Sequence, residues 1–457
     1  MKNKKVDMLN GSVAKGLIAL AIPIMIMNVA QTWVNVIDMA ALRYLANDRA
    51  VGAVGACGSL ITLCTSLLIG VSSGANVVVA KRVGQGDKEQ VSNAAMTAIL
   101  FSIIGGIVLM LVGVVFAETF LKMTNCPEGL LPQAVSYFKI YFWGVPIILF
   151  YSFCAAILRA IGDTKRPMYF LIVGGIIKII LTVLFIVLFD VTVQGVALAT
   201  IVSKLVESIL AIRTILKSKD SLHFDFKRIR FYTKELKEML FIGIPTGLQS
   251  AMYSFANVTI VATVNTFGVN ATTGVSIAGQ FDGIIYQIIH APSLAVMPYV
   301  AQNIGAGNIK RVKQTVIRAV LIAALFGVTF GTISVAFSAQ LSSLMSTTPE
   351  VIKYSQQRML VVSGTYFICG INEVLGGVLK GMGKPILPTI ATLVFMCLIR
   401  FPWVYFVFPL CPNLTFLYLI WPIGWVLSII TLLIAYFPTI SKLEKTNSES
   451  LVSENIK

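Results

Sequence analysis

Long apolar runs separated by short charged clusters set the pattern of this chain. Residues 16–37, 51–80, 92–117 and 140–158 contain no Asp, Glu, Lys or Arg. A helix needs about 20 apolar residues to cross the hydrocarbon core of a bilayer, so each run predicts a membrane span. Two longer uncharged stretches, 239–281 and 401–441, divide at turn-forming segments near 269–274 and 409–413. The pattern predicts twelve spans: 14–41, 51–80, 92–117, 135–158, 168–189, 193–215, 239–267, 273–302, 315–337, 355–379, 386–409 and 414–437.

The charged clusters orient the spans. Basic residues concentrate at the N-terminus, at Lys81, Arg82 and Lys88, at Arg159, Lys165 and Arg166, along 213–238, at Lys310, Arg311 and Lys313, at Lys380 and Lys384, and in the tail. These loops share one parity, and excess Lys and Arg marks the cytoplasmic side. Both termini of this multi-pass membrane protein are therefore expected in the cytoplasm. The basic N-terminus leads into a first helix that is expected to stay in the protein.

Composition narrows the function classes. The chain of 457 residues is 57% hydrophobic and 12% charged, and its formal net charge is +16. That is half the charge of an average soluble protein, which excludes a soluble multidomain enzyme. The positive balance belongs to cytoplasmic loops, so lipid is the expected macroscopic partner and nucleic acid is not. Seven cysteines without a CxxC pair, mostly in apolar runs, predict buried thiols. Gly84-Gln85-Gly86 lacks the Lys-Ser/Thr of a phosphate-binding loop, and two histidines without HExxH argue against a metal hydrolase. An enzyme is not expected, and neither is a cofactor or metal; an ion gradient is the expected energy source.

The chain repeats itself. Ile22-Pro23 and Asn35 recur as Ile244-Pro245 and Asn257 at an offset of 222; the segments starting at Ala80 and Leu158 recur at Ala301 and Leu379 at 221. Six spans per repeat give the two copies the same orientation, a parallel duplication found in secondary transporters. The expected fold class is an all-α polytopic membrane protein of two pseudo-symmetric six-helix bundles. Expected divisions are a first lobe at 1–216, a cytoplasmic linker at 217–237, a second lobe at 238–440 and a disordered tail at 441–457.

Ionisable groups at membrane depth are costly and face partners or cavities. Asp38 is the leading candidate for ion coupling. It ends a polar stripe with Gln31 and Asn35 at helical spacing, and Gln249, Tyr253 and Asn257 form the matching stripe in the second repeat. Asp282, Tyr286 and His290 recur every four residues, which makes Asp282 and His290 candidates for a proton relay or for satisfied interior groups. Glu373 lies seven residues before Lys380, and Lys178 needs a carboxylate or a water-filled cavity, with Asp38 as the expected partner. Lys204 and Glu207 read as an ion pair at i,i+3, and Arg400 as a snorkelling side chain. Aromatic candidates for a substrate wall are Trp33, Tyr141, Phe142, Trp143 and Tyr253.

The duplicated plan, the polar first helix ending in Asp38, the stretch from Leu158 to Pro167 and the Ala301-to-Gly307 turn together resemble the multidrug and toxic compound extrusion (MATE) family. The likeness covers about residues 12–440 and is greatest to the DNA-damage-inducible-protein-F-like bacterial branch. It implies two six-helix lobes in a V, alternating access, and antiport of small organic cations against protons or sodium, with a monomer expected. It also implies that Asp38 is a protonation site. The sodium-coupled branch has a Glu where Asn257 stands, and Lys178 and Thr182 replace an Asn and an Asp of many proton-coupled members. A lipid-linked precursor flippase, a polytopic membrane enzyme and a channel are the competing readings.

Overall fold

Water is absent from hydrocarbon, so backbone amides there must bond within their own segment, and a helix does this with no outside partner. The computed structural model describes residues 5–46, 48–124, 126–189, 191–217 and 230–455, and among them it contains helices and no strand. Twelve long helices follow in order. In the first repeat they are α1 Val13–Leu45, α2 Asp48–Gln85, α3 Lys88–Val115, α4 Leu131–Ala160, α5 Lys165–Phe189 and α6 Val193–Lys217. In the second they are α7 Thr233–Asn265, α8 Val269–Gly305, α9 Ile309–Ala336, α10 Pro349–Gly381, α11 Ile386–Leu410 and α12 Leu414–Thr446.

Each predicted span falls on one of these helices. Eleven of them are long and apolar enough to cross a membrane among the described residues. The remaining one, α7, has 33 residues and is interrupted by Thr246, Gln249, Ser250 and Asn257. Several helices exceed the length a bilayer requires; α8 runs for 37 residues.

Matching glycines end matching helices. Gly86 and Gly307 close α2 and α8, and Gly162 and Gly383 close α4 and α10, all with φ between 69° and 83°. A left-handed residue ends a helix at low cost only when no Cβ is present.

The described chain forms two compact units, Met1–Val6 with Ile26–Ala251, and Asp7–Met25 with Met252–Lys457. This division differs from the expected lobes. Each unit holds five whole helices of one repeat and the later part of that repeat's first helix, together with the opening of the other repeat's first helix. In the first unit α7 reaches α2 backbone to backbone. A Cβ on Gly70 would collide with the Gly247 amide, on Gly74 with the Met239 carbonyl, on Gly243 with Val71 and on Gly247 with Leu67. Small residues at such a seam allow the approach. Arg82 fixes the same opening, its Nη2 lying 3.1 Å from Glu238 and 3.6 Å from Glu235. In the second unit Arg311 donates to the carbonyls of Met8, Asn10 and Gly11 at 2.7–2.9 Å. Asn303, the counterpart of Arg82, also donates to the Met8 carbonyl, at 3.1 Å.

Two segments depart from expectation. Residues 441–455, expected to be disordered, continue the last helix to Asn455. A 2.6 Å ion pair between Lys313 and Glu444 ties the start of this extension to α9. Residues 218–229 of the expected linker lie outside the described residues, and Thr233–Glu238 already belong to α7.

Candidate functional site

The polar stripe of α1 lines a cavity of about 660 Å³ in the first unit. Gln31, Asn35 and Asp38 face it, with Tyr137, Tyr141, Tyr151 and Arg159 from α4, Lys178 from α5, and Lys204 and Glu207 from α6. Gln31 donates to Asn35 Oδ1 at 3.4 Å and receives the Lys204 ammonium at 3.5 Å. Lys178 Nζ lies 2.5 Å from Asp38 Oδ2, so the expected pairing partners do meet. Thr182, one turn along α5, donates to the other Asp38 oxygen at 3.3 Å. Lys204 pairs with Glu207 at 2.8 Å and lies 4.8 Å above the Tyr151 ring.

The second unit holds a smaller cavity of about 350 Å³, lined by Asn257, Asp282, Tyr286, Arg358, Tyr366, Trp421 and Trp425 among others. Asp282 is 4% exposed and fully engaged. Arg358 Nε donates to one of its oxygens at 2.8 Å and Ser363 to the other at 2.7 Å. Asn257 accepts from Arg400 at 2.6 Å. Arg400 was expected to snorkel, yet it is 2% exposed, because an acceptor and the Trp421 ring at 5.3 Å hold it inside.

The α8 stripe divides between two partners. His290 lies 3.6 Å from Glu373 and stacks on Tyr286, whose hydroxyl donates to Glu373 at 3.5 Å. Asp282 faces Arg358 instead. Residues eight apart on a helix diverge by about 80°, enough to send the two ends of the stripe to different neighbours. Glu373 and His290 line neither cavity.

Of the remaining candidates, Trp33 and Trp143 are 55% and 60% exposed and line neither cavity. Phe142 packs in the core of the first unit. Gln249 is half-buried on α7 and also lines neither cavity. The side chain of Tyr253 lies outside the described residues. Sequence reasoning missed Arg159 and Arg358 as cavity residues because both lie at the ends of predicted spans, 135–158 and 355–379, where a charge reads as a boundary residue. It found the Lys204–Glu207 pair by spacing, but spacing carries no information about a cavity. Among the described residues no group of three His, Cys, Asp or Glu could hold a metal ion.

A family model described as MatE matches the chain twice, over residues 23–184 and 245–406. The chain is 27% identical to a protein named probable multidrug resistance protein YoeA of Bacillus subtilis, over 84% of each chain. It is also 27% identical to a protein named FAD transporter of Shewanella oneidensis, over 78% of this chain and 79% of that one. Among solved structures it is similar in fold to an outward-facing multidrug resistance MATE family transporter, with a TM-score of 0.90 and 21% identity, covering 97% of this chain and 100% of the other. The two consecutive matches coincide with the two repeats, and the chain belongs to the MatE (multidrug and toxic compound extrusion) family of membrane transporters.

Proposed function

We propose that the protein exports small organic molecules across the bacterial inner membrane by antiport against protons, through alternating access of two lobes, with both termini in the cytoplasm. The observation that carries this reading is the Asp38–Lys178 pair on the wall of the larger cavity. A proton on Asp38 removes the attraction that holds Lys178, so protonation changes the balance between two arrangements of α1 and α5. A ligand or proton moves such a balance only by its differential affinity for the two states. Proton and cargo compete because both act on the same wall. The names of the relatives, a multidrug resistance protein and an FAD transporter, support a small organic cargo.

Protons are favoured over sodium by the partners already present. Both oxygens of Asp38 are occupied, by Lys178 and Thr182. Asn257, where the sodium-coupled branch has a Glu, accepts from the Arg400 guanidinium. A sodium ion at either position would have to displace a fixed cation.

The test is gradient-driven dye movement in proteoliposomes, with a panel of anionic, zwitterionic and cationic fluorophores. Wild type, Asp38→Asn and the surface control Lys122→Gln are compared under an imposed pH gradient and an imposed sodium gradient. Movement driven by the pH gradient, lost in Asp38→Asn and kept in Lys122→Gln, is expected. Sodium-driven movement would overturn the choice of proton, and movement of no dye under either gradient would overturn export.

A further inference from the structure

We propose that the larger cavity selects cargo bearing a carboxylate or phosphate group and turns away organic cations. The proposal deepens the export reading and rests on it. Five charged residues line this cavity: Asp38 and Glu207 against Arg159, Lys178 and Lys204. Each carboxylate already has an ammonium, at 2.5 Å for Asp38 and 2.8 Å for Glu207. Arg159 has no side-chain hydrogen bond or ion pair among the described residues, although it is partly buried.

An entering cation therefore meets no unpaired carboxylate and one uncompensated guanidinium. Like charges in a partly desolvated site repel more strongly than in water. An entering anion meets a planar fork of N–H donors that matches a carboxylate or phosphate with two parallel hydrogen bonds. Aromatic faces, the other seat for an organic cation, are partly taken as well. Lys204 lies over Tyr151 in this cavity, and Arg358 and Arg400 lie over Trp421 in the second unit. The second cavity offers no alternative, since its carboxylate, Asp282, is held by Arg358 and Ser363. Val34, Ile61, Ile148 and Leu171 complete the larger cavity with apolar wall for the rest of the molecule. A volume of about 660 Å³ suits a drug-sized cargo.

The test uses purified full-length protein and two dyes on one xanthene ring, anionic carboxyfluorescein and cationic rhodamine 6G, with fluorescence polarisation as the readout. Wild type is expected to bind carboxyfluorescein about tenfold more tightly, with a Kd that rises with added salt. Arg159→Gln should weaken the anion by about tenfold, and Arg159→Lys should restore most of the loss. Lys178→Met, which frees the Asp38 carboxylate, should strengthen rhodamine 6G by about fivefold or more.

Tighter binding of the cation by wild type, binding of neither dye, or an anion Kd unchanged in folded Arg159→Gln would overturn the proposal. If Arg159→Gln aggregates, the salt series and Lys178→Met decide. Binding needs no gradient, so an anion that binds yet is never moved by any gradient sinks the export reading and leaves this inference standing. Gradient-driven movement of rhodamine 6G without affinity for the anion does the reverse.

Discussion

The two repeats place a basic residue of their fifth helix against the polar face of their first, and they differ in what it meets. Lys178 meets Asp38, whereas Arg400 meets Asn257. The equivalence depends on a one-residue insertion. Pro167 and Pro388 match at 221, but the matched segments end at 184 and 406, an offset of 222. Between these points α11 makes a π turn at Leu393–Leu398, the form a helix takes when it absorbs one extra residue. Beyond the turn Lys178 falls on Arg400. At the 221 offset Ile61 and Tyr137 of the larger cavity fall on Asp282 and Arg358, so the second repeat carries an ion pair where the first carries an isoleucine and a tyrosine. In the proposed antiport, a proton on Asp38 would dissolve the first repeat's pair. Asn257 is an amide, so the second repeat's pair has no carboxylate for a proton to neutralise. On the proposed mechanism, the switching belongs to the first repeat and the scaffold to the second.

The largest effect should come from breaking the second repeat's Arg358–Asp282 ion pair. Arg358→Met leaves the buried Asp282 carboxylate without its cation, a loss of about 3–5 kcal/mol that thermal unfolding of the purified protein would register. Adding Asp282→Asn should recover most of it. Lys178→Met leaves Asp38 beside a larger cavity that water can enter, and its loss should be nearer about 1.5 kcal/mol. Equal losses at the two sites would erase the contrast between switch and scaffold.

Next in size is the backbone seam. Gly243→Ala forces α7 away from Val71 and should cost about 1–3 kcal/mol. Its counterpart Ala21, buried in the second unit beside Leu17, Pro292 and Ala295, should lose only about 0.5–1 kcal/mol on change to Gly. A charge swap sharpens the functional contrast. Asp38→Asn combined with Asn257→Asp moves the carboxylate to the second repeat, opposite an arginine, and pH-driven dye movement should stay absent. Recovery of movement would mean that either repeat can couple.

The smallest effect concerns two matching helix starts. Asp87 caps α3 by accepting from the Gln90 amide at 3.0 Å, and Asn308 caps α9 by accepting from Arg311 at 3.1 Å. The backbone hydrogen bond from Gln90, foremost, holds the Asp87 carboxyl below its ordinary value. Its contribution is therefore present above the unfolded carboxylate pKa, about 3.9, and lost as pH falls through the depressed folded value. Asp87→Asn should keep the cap and remove that part of the acid sensitivity of Tm, while Asn308→Asp should introduce the same sensitivity in the second repeat.

The sequence revealed what hydrocarbon enforces. Apolar runs long enough to cross announced the helices, and Lys178 announced Asp38 because a lone charge at depth is too costly. The turn glycines marked the repeat for the same kind of reason, since few other residues take that backbone. What stayed hidden depended on neighbours remote in the chain. Arg358 lies near one end of the predicted span 355–379, where nothing in the sequence points to Asp282, its partner on α8. Arg400 looked able to snorkel until Asn257 supplied an acceptor. Asp282 and His290 share a stripe in sequence, but the drift of that stripe around the helix gives them different partners. The exchange of the openings of α1 and α7 between units has no sequence signal beyond Gly243, Gly247 and their partners Gly70 and Gly74, which in isolation read as ordinary membrane glycines.

Those four glycines carry a genetic consequence. Every single-nucleotide missense change in a glycine codon adds at least a Cβ, and at each of these positions the added atom meets backbone, which has no rotamer to yield. The charged wall of the cavity can drift by Lys-to-Arg or Asp-to-Glu steps; the seam has no conservative neighbour to drift to. A saturation-mutagenesis library selected for export should therefore show two textures, a graded response around Lys178 and Lys204 and a sharp line of depletion along Gly70, Gly74, Gly243 and Gly247.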